Sequence, residues 1–124
     1  SVSRQKKQFL YADGDNYNFM DMNSYEQIAI PKDKLDGKEI YLKENQEVDA
    51  IYLEEDLIGI DMPLIIEMSI IEAEPGIKGD SVTNLTKFAK IESGAEIKVP
   101  LFIKVGDKIK VDTRTGEYVE RVSQ

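Results

Sequence analysis

The amino-acid sequence predicts an all-β fold with at most short helical segments. Its β-prone runs are short and are separated by turn-forming residues, a pattern that favours small barrels or sandwiches over α/β folds. Residues 1–63 have seven basic and fourteen acidic side chains, a net charge of −7, whereas residues 64–124 have nine and ten, a net charge of −1. Each part contains five candidate strands, the number found in an oligonucleotide-binding (OB) barrel. We therefore expect two tandem five-stranded OB-like barrels, in residues 1–63 and 64–124.

In the first part, two turns join neighbouring strands into hairpins. Asp13-Gly14-Asp15-Asn16 predicts a tight turn, because glycine and asparagine accept positive φ and aspartate bonds nearby backbone. Glu54-Glu55-Asp56 predicts a second turn, which we interpret as solvated and not as a pair of catalytic carboxylates. Pro31 suits a first helical turn, so we expect a short helix up to Leu42. The predicted strands are residues 4–11, 17–21, 25–30, 47–53 and 57–62.

The second part begins with a long predicted strand, in which Leu64, Ile66, Met68 and Ile70 share one face. A polar, glycine-containing loop follows over residues 75–84. Only three of the ten aromatic residues fall in this part, so aliphatic side chains must supply most of its packing. The predicted strands are residues 64–74, 86–91, 96–102, 108–112 and 118–122.

Composition excludes several classes of enzyme. The chain has no Cys and no His, which rules out disulfides, thiol nucleophiles, zinc hydrolases and catalysis by Ser-His-Asp or Cys-His groups. The turn at Asp13 resembles the start of a calcium loop, but Tyr17 occupies the next ligand position. No constellation of carboxylates, lysines or tyrosines stands out. We expect no enzymatic activity, no cofactor and no metal site.

Targeting signals are also missing from the sequence. The longest apolar run, residues 62–66, is far shorter than the roughly 20 residues of a membrane-spanning helix. The first residues are polar and cationic, unlike a signal peptide, and they lack an initiator Met. We expect a cytoplasmic, monomeric protein that does not bind membranes, and a piece of a longer chain.

The loop that contains residues 76–84 is the best candidate for a binding site. It lacks the Gly-Lys-Ser/Thr ending of a phosphate-binding loop, but its two glycines let the backbone approach a partner closely. Asp80, Ser81, Thr83 and Asn84 carry short groups that can donate to or accept from base edges. The alternative is an ordinary surface turn. Since the net charge is −8 and basic residues form no dense patch, we expect free nucleic acid to bind weakly.

Three longer motifs occur in order along the chain. They are QFLYADGDNY at residues 8–17, EAEPGIKGD at residues 72–80 and VDTRTGEY at residues 111–118. Together they resemble the elongation factor P family of bacterial translation factors, and the resemblance covers essentially all of the sequence. It implies that residues 1–63 are the central OB-like domain of that family and that residues 64–124 are its C-terminal OB-like domain.

The resemblance implies a factor of three β domains that binds the ribosome between the peptidyl and exit tRNA sites, beside peptidyl-tRNA. Such a factor relieves stalling at consecutive prolines. Its N-terminal domain carries a loop lysine or arginine that reaches the peptidyl-transferase centre, and that domain is not in this sequence. The resemblance therefore implies a docking part that does not rescue stalls by itself.

The resemblance also implies which residues bind. The loop over residues 79–84 is similar to the loop that the family places near messenger RNA in the exit site, although Ser81 stands where Thr is usual and Phe88 where Pro is frequent. Arg114 and Arg121 are second candidates, for RNA phosphates, and the acidic first domain fits a basic ribosomal protein. The expected ribosome- and RNA-binding residues are Lys78, Gly79, Asp80, Ser81, Thr83, Asn84, Arg114 and Arg121.

Two other functions stay open at this point. An elongation factor P-like paralogue would share the fold. Leu85 and Phe88 beside the candidate loop are unusual for the family and are compatible with that alternative. A generic single-strand-binding OB module would need aromatic stacking platforms in a positive groove. The second part has few aromatic residues and no excess of positive charge, which favours the translation factor over the generic module.

Overall fold

The structure is a computed structural model, and it describes residues 1–75 and 85–122. The chain divides into two compact units, Ser1–Pro63 and Leu64–Gln124, here called unit 1 and unit 2. Within the described ranges, the regular elements are ten β-strands and two short 3-10 helices. The predicted all-β class with at most short helical segments is therefore confirmed. None of the helices in these ranges is long and apolar enough to cross a membrane.

Unit 1 is a five-stranded antiparallel sheet with the strand order β3-β2-β1-β4-β5. The long first strand pairs with β4 along Val2–Gln8 and with β2 along Lys7–Asp13, and an irregularity between Phe9 and Tyr11 interrupts the second ladder. Because one strand serves two partners in succession, the sheet curls around its core. The strands are β1 (Val2–Asp13), β2 (Asn16–Asp21), β3 (Gln27–Pro31), β4 (Glu47–Leu53) and β5 (Asp56–Asp61).

The core of unit 1 combines aromatic and aliphatic side chains. The rings of Phe9 and Phe19 meet edge to face, with their centroids 5.4 Å apart. The segment between β3 and β4 closes one end of this core with the buried side chains of Leu35 and Leu42. The full cluster of buried residues is Phe9, Phe19, Ile30, Leu35, Leu42, Val48 and Ile60.

Two predictions for unit 1 are wrong in detail. The single helix expected up to Leu42 is two 3-10 helices, Lys32–Lys34 and Lys38–Tyr41, because Asp36 and Gly37 have positive φ and break the helical path. The third strand begins at Gln27 and not at residue 25. Tyr25 has a φ of 64° and donates its backbone N–H to Asp21, so it belongs to the turn.

Unit 2 repeats the architecture, with the strand order β10-β9-β6-β7-β8. Its first strand pairs with β9 along Ile65–Ser69 and then with β7 along Ile70–Ala73, so this sheet also curls. In residues 64–75 and 85–122 no hydrogen-bonded ladder joins β10 to β8, although the two strands approach each other. The strands are β6 (Ile65–Ala73), β7 (Thr86–Ile91), β8 (Glu96–Pro100), β9 (Lys108–Asp112) and β10 (Tyr118–Arg121).

The core of unit 2 is aliphatic. Val99, Ile103 and Ile109 are fully buried, and Ile103 follows a turn in which its backbone N–H donates to the carbonyl of Pro100. That turn ends β8 at Pro100, so the strand predicted up to residue 102 is two residues too long. The buried residues are Ile66, Met68, Ile70, Ala89, Ile91, Ile97, Val99, Ile103, Ile109 and Val111.

Candidate nucleic-acid interface

The candidate loop lies outside the described residues, so Lys78, Gly79, Asp80, Ser81, Thr83 and Asn84 remain predictions from the sequence. The described chain on either side shows where this segment is attached. Residues 76–84 connect the end of β6 to the start of β7. The strands at this end of the sheet therefore form its base.

One glutamate holds this base together. The backbone N–H of Glu74 donates to the carbonyl of Phe88 at 3.1 Å, and the backbone N–H of Phe88 donates to the Oε1 atom of Glu74 at 3.0 Å. The carboxylate thus replaces a backbone acceptor just beyond the last strand pair, Ala73 with Ala89. Pairing between the two chain segments extends one step toward the loop.

The outward face of β7 and β8 carries an aromatic residue opposite a cation. In β7, Ala89 and Ile91 point into the core, so Phe88 points outward and is 42% exposed. Lys98 is its cross-strand partner on β8, with the Nζ atom 5.8 Å from the centroid of the Phe88 ring. This distance is within the range of a cation–π contact, worth about 0.5–1 kcal/mol at an exposed site.

A cleft of about 520 Å³ opens beside this pair. Tyr118 at the start of β10 contributes a second aromatic wall, and Glu96 and Glu117 bring negative charge to the same cleft. Its size is typical of sites for small organic groups. The lining is Thr86, Phe88, Glu96, Ile97, Lys98, Pro100, Gly116, Glu117 and Tyr118.

Arg121 lies toward the loop end of this face. The Cζ atom of its guanidinium is 5.6 Å from the centroid of the Phe102 ring, which is 61% exposed. Phe102 follows Pro100, and Pro100 pairs with Thr86 at the base of the loop. Arg121 therefore lies beside the segment that follows the loop end of β8.

Arg114 lies at the other end of β6. Its turn follows Asp112, which pairs with Ile65 at the start of β6, whereas the loop leaves from the end of that strand. The guanidinium pairs with both carboxylate oxygens of Asp112, at 3.2 Å from Nε and 2.9 Å from Nη2. This contact raises the pKa of Arg114 and lowers the pKa of Asp112. The charge of Arg114 is thus partly neutralised within its own turn.

These positions correspond to the ligand-binding face of OB folds. Such folds bind oligonucleotides on the face of their second and third strands, together with the loop between strands one and two and the loop between strands four and five. In unit 2 the corresponding features are the outward face of β7 and β8, residues 76–84, and the turn that contains Arg114. Of the predicted residues within the described ranges, Arg114 lies in one of these loops and Arg121 lies in β10.

Sequence reasoning missed the middle of that face. The candidate residues did not include Phe88, Lys98 or Tyr118. The alternation of side chains along β7 nevertheless indicates that Phe88 points out of the core. An aromatic residue that alternates with two buried aliphatic residues in a strand must point to the other side of the sheet. In the described ranges no cluster of three or more acidic side chains is placed to hold a metal ion.

Comparison with known proteins identifies the family. The protein-family model described as the elongation factor P (EF-P) OB domain matches residues 2–60 of the sequence. A second family model, described as elongation factor P, C-terminal, matches residues 66–121. A protein named elongation factor P from Endomicrobium trichonymphae is 66% identical over 121 residues, which are 98% of this chain and 65% of the relative.

Two further relatives with the same name come from Fervidobacterium nodosum and Moorella thermoacetica. They are 51% and 48% identical over 120 residues, which are 97% of this chain and 65% of each relative. The chain thus spans 65% of the length of these three proteins. The matches run through both units in order, and the chain belongs to the elongation factor P family.

Proposed function

We propose that this chain is the ribosome-docking part of a translation elongation factor that stimulates peptide-bond formation at stalls on consecutive prolines. The observation that carries the proposal is the match of both units, in order, to elongation factor P domains and to relatives of that name. The partners would be the ribosome, between its peptidyl and exit sites, and the peptidyl-tRNA beside it. The protein would act in the cytoplasm as a monomer.

Under this proposal the chain acts by binding and not by chemistry of its own. It has no Cys and no His, and the face described above offers cations, aromatic rings and short polar groups. A factor that holds peptidyl-tRNA in a reactive geometry accelerates a reaction by positioning alone. The residues that reach the reacting groups would belong to the part of the relatives that this chain does not span.

We assign different partners to the two units. Unit 2 would face messenger RNA in the exit site through residues 78–84, Arg114 and Arg121. Residues 76–84 connect β6 to β7, and Arg114 lies in the turn between β9 and β10, which are the two loops that OB folds use for ligands. Unit 1 carries a net charge of −7 and would face a basic ribosomal protein, since opposite potentials favour encounter and orientation.

Competition for purified ribosomes tests this proposal. The full-length elongation factor P of Endomicrobium trichonymphae is labelled, bound to ribosomes and displaced with unlabelled residues 1–124. The account expects complete displacement at a higher concentration than the unlabelled full-length relative requires, because the chain makes only part of the contacts. Absence of displacement at any concentration would contradict it.

Translation of a reporter with three consecutive prolines tests whether the chain docks on the ribosome without relieving the stall. We expect the full-length relative to relieve the stall and residues 1–124 to leave it unchanged. We also expect an excess of residues 1–124 to inhibit the relief by the full-length relative. Relief of the stall by residues 1–124 alone would contradict the assignment of a docking role.

A further inference from the structure

The aromatic side chains of unit 2 are distributed in an unusual way. Phe88, Phe102 and Tyr118 are the three aromatic residues of this unit, and each lies outside the aliphatic core. In unit 1, by contrast, Phe9 and Phe19 are buried. Unit 1 also exposes Tyr11 and Tyr25, so exposure alone does not mark a site, whereas exposed rings that lie together on one surface often do.

All three rings border β8, and two of them have a cation over the ring. Phe88 is opposite Lys98, Tyr118 lines the cleft beside that pair, and Phe102 follows the strand. Lys98 lies 5.8 Å from one ring centroid and Arg121 lies 5.6 Å from another. Proteins that bind single-stranded nucleic acids place aromatic rings next to cations, since bases stack on the rings and phosphates pair with the cations.

The charges near the cleft distinguish bases from backbone. Glu96 and Glu117 line it beside Lys98. A phosphate backbone that ran along the cleft would therefore be repelled as much as attracted. A nucleobase has no net charge and can enter a cleft of about 520 Å³ with its face against the ring. The cation can then leave the ring and pair with the phosphate of the same nucleotide.

We infer that unit 2 binds unpaired RNA bases on the outer side of β8, by stacking on Phe88 and Phe102. Lys98 and Arg121 occupy the two rings in the unbound protein and pair with the adjacent phosphates when bases stack. This inference rests on the proposed function in one respect, since it takes the RNA to be an unpaired strand on the ribosome. It adds Phe88, Phe102 and Lys98 to the candidate contact residues.

Binding of fluorescent RNA heptamers at low salt tests the stacking step. Phe88→Leu and Phe102→Leu keep an apolar side chain but remove the aromatic face, and each is expected to weaken binding roughly tenfold. An abasic heptamer keeps the phosphates and should bind at least tenfold more weakly than the normal RNA. Equal binding of the two RNAs, or unchanged affinity in both variants, would overturn the inference.

Matched charge variants test the cations. Lys98→Gln and Arg121→Gln should each weaken RNA binding severalfold and reduce its salt dependence. Lys6 is in unit 1 and lies near Glu47 and Asp49, and Lys110 of β9 pairs with Glu120. Lys6→Gln and Lys110→Gln should therefore keep the affinity of the unsubstituted chain. Equal losses in all four variants would indicate a general charge effect and would overturn the site.

Ribosome binding by the same proteins separates this inference from the proposed function. If the unsubstituted chain binds ribosomes and the two Phe→Leu variants bind severalfold more weakly, the inference is supported. If the variants bind ribosomes as the unsubstituted chain does, the stacking site is wrong and the docking role stands. If the unsubstituted chain does not bind ribosomes but binds the normal heptamer over the abasic one, the docking role is wrong and the stacking site stands.

Discussion

The ammonium group of Lys7 lies 2.8 Å from the carboxylate of Asp21, across neighbouring strands of unit 1. Lys7 is only 3% exposed, and its Nζ atom also donates to Gln5 at 3.2 Å. The other carboxylate oxygen of Asp21 accepts backbone N–H groups from Asn23 and Ser24 at 2.8 Å each. Both charges are thus well supplied with partners, which a buried ion pair requires if it is not to destabilise the fold.

This pair predicts how the stability of unit 1 depends on pH. The hydrogen bond from Lys7, followed by those from Ser24 and Asn23, holds the pKa of Asp21 well below its ordinary value of 3.8. A group with a lowered folded-state pKa contributes stability above its unfolded pKa and loses it as the pH falls through the folded pKa. We expect the free energy of unfolding to fall as the pH drops from about 5 to about 2.

Chemical denaturation followed by circular dichroism at several pH values measures this dependence. The variant Asp21→Asn should be less stable than the unsubstituted chain near neutral pH, and the difference should shrink toward the acidic end. Asp33 is exposed, so Asp33→Asn serves as a matched control with little effect. A constant stability difference between Asp21→Asn and the unsubstituted chain across the acid range would contradict the assigned role of the pair.

The carboxylate of Glu74 predicts a local change at the base of the loop. In Glu74→Ala the backbone N–H of Phe88 loses its acceptor, and such a loss costs roughly 1–2 kcal/mol where solvent does not replace the bond. We expect hydrogen exchange of the Phe88 amide to accelerate by roughly tenfold, with little change in the global stability of unit 2. Glu72→Ala, which removes only an exposed ion pair with Lys90, should leave that exchange rate unchanged. Equal rates in the two variants would show that the carboxylate does not protect the loop base.

The aliphatic core predicts which substitutions unfold unit 2. Val99 and Ile70 are 0% and 2% exposed, and an unpaired charge in such a position costs several kcal/mol. Val99→Asp and Ile70→Asp should therefore abolish the cooperative thermal transition of unit 2 and leave that of unit 1. Val105 is 60% exposed, so Val105→Asp should change stability by less than about 0.5 kcal/mol. A folded unit 2 in Val99→Asp would contradict the assigned core.

The candidate loop predicts a loss of ribosome binding without a loss of fold. Asp80→Ala and Asn84→Ala each remove a short hydrogen-bonding group, and we expect a roughly tenfold weaker affinity for ribosomes in each variant. Glu120→Ala removes only a surface ion pair with Lys110, which is worth little, and should keep the affinity. Unchanged ribosome affinity in both loop variants would reject the loop as a contact.

The sequence predicts most of this fold because its local signals agree with each other. Alternating side chains with turn residues on both sides identify β4, β7 and β9 with their observed bounds. The errors in unit 1 occur where one residue adopts a positive φ that its type does not require, as at Tyr25 and Asp36. The choice of a left-handed conformation there depends on the backbone hydrogen bonds around it, which neighbouring residues in the sequence do not reveal.

The candidate site is harder to predict because it depends on pairs that are distant in the sequence. Lys98 covers Phe88 only because the register of β7 and β8 places them opposite each other, and Arg121 covers Phe102 only because β10 ends beside β8. Arg114, by contrast, pairs with Asp112 in its own turn, and that contact lies within reach of sequence reasoning. The separation of Arg114 from Arg121 follows from the strand order.

Electron cryomicroscopy of ribosomes incubated with residues 1–124 and a stalled peptidyl-tRNA shows where the chain binds. We expect density for two small β units between the peptidyl and exit tRNA sites, with the outer side of β8 in unit 2 directed at unpaired RNA. Density for the chain at another place on the ribosome, or ribosomes without bound chain at saturating concentration, would contradict this expectation.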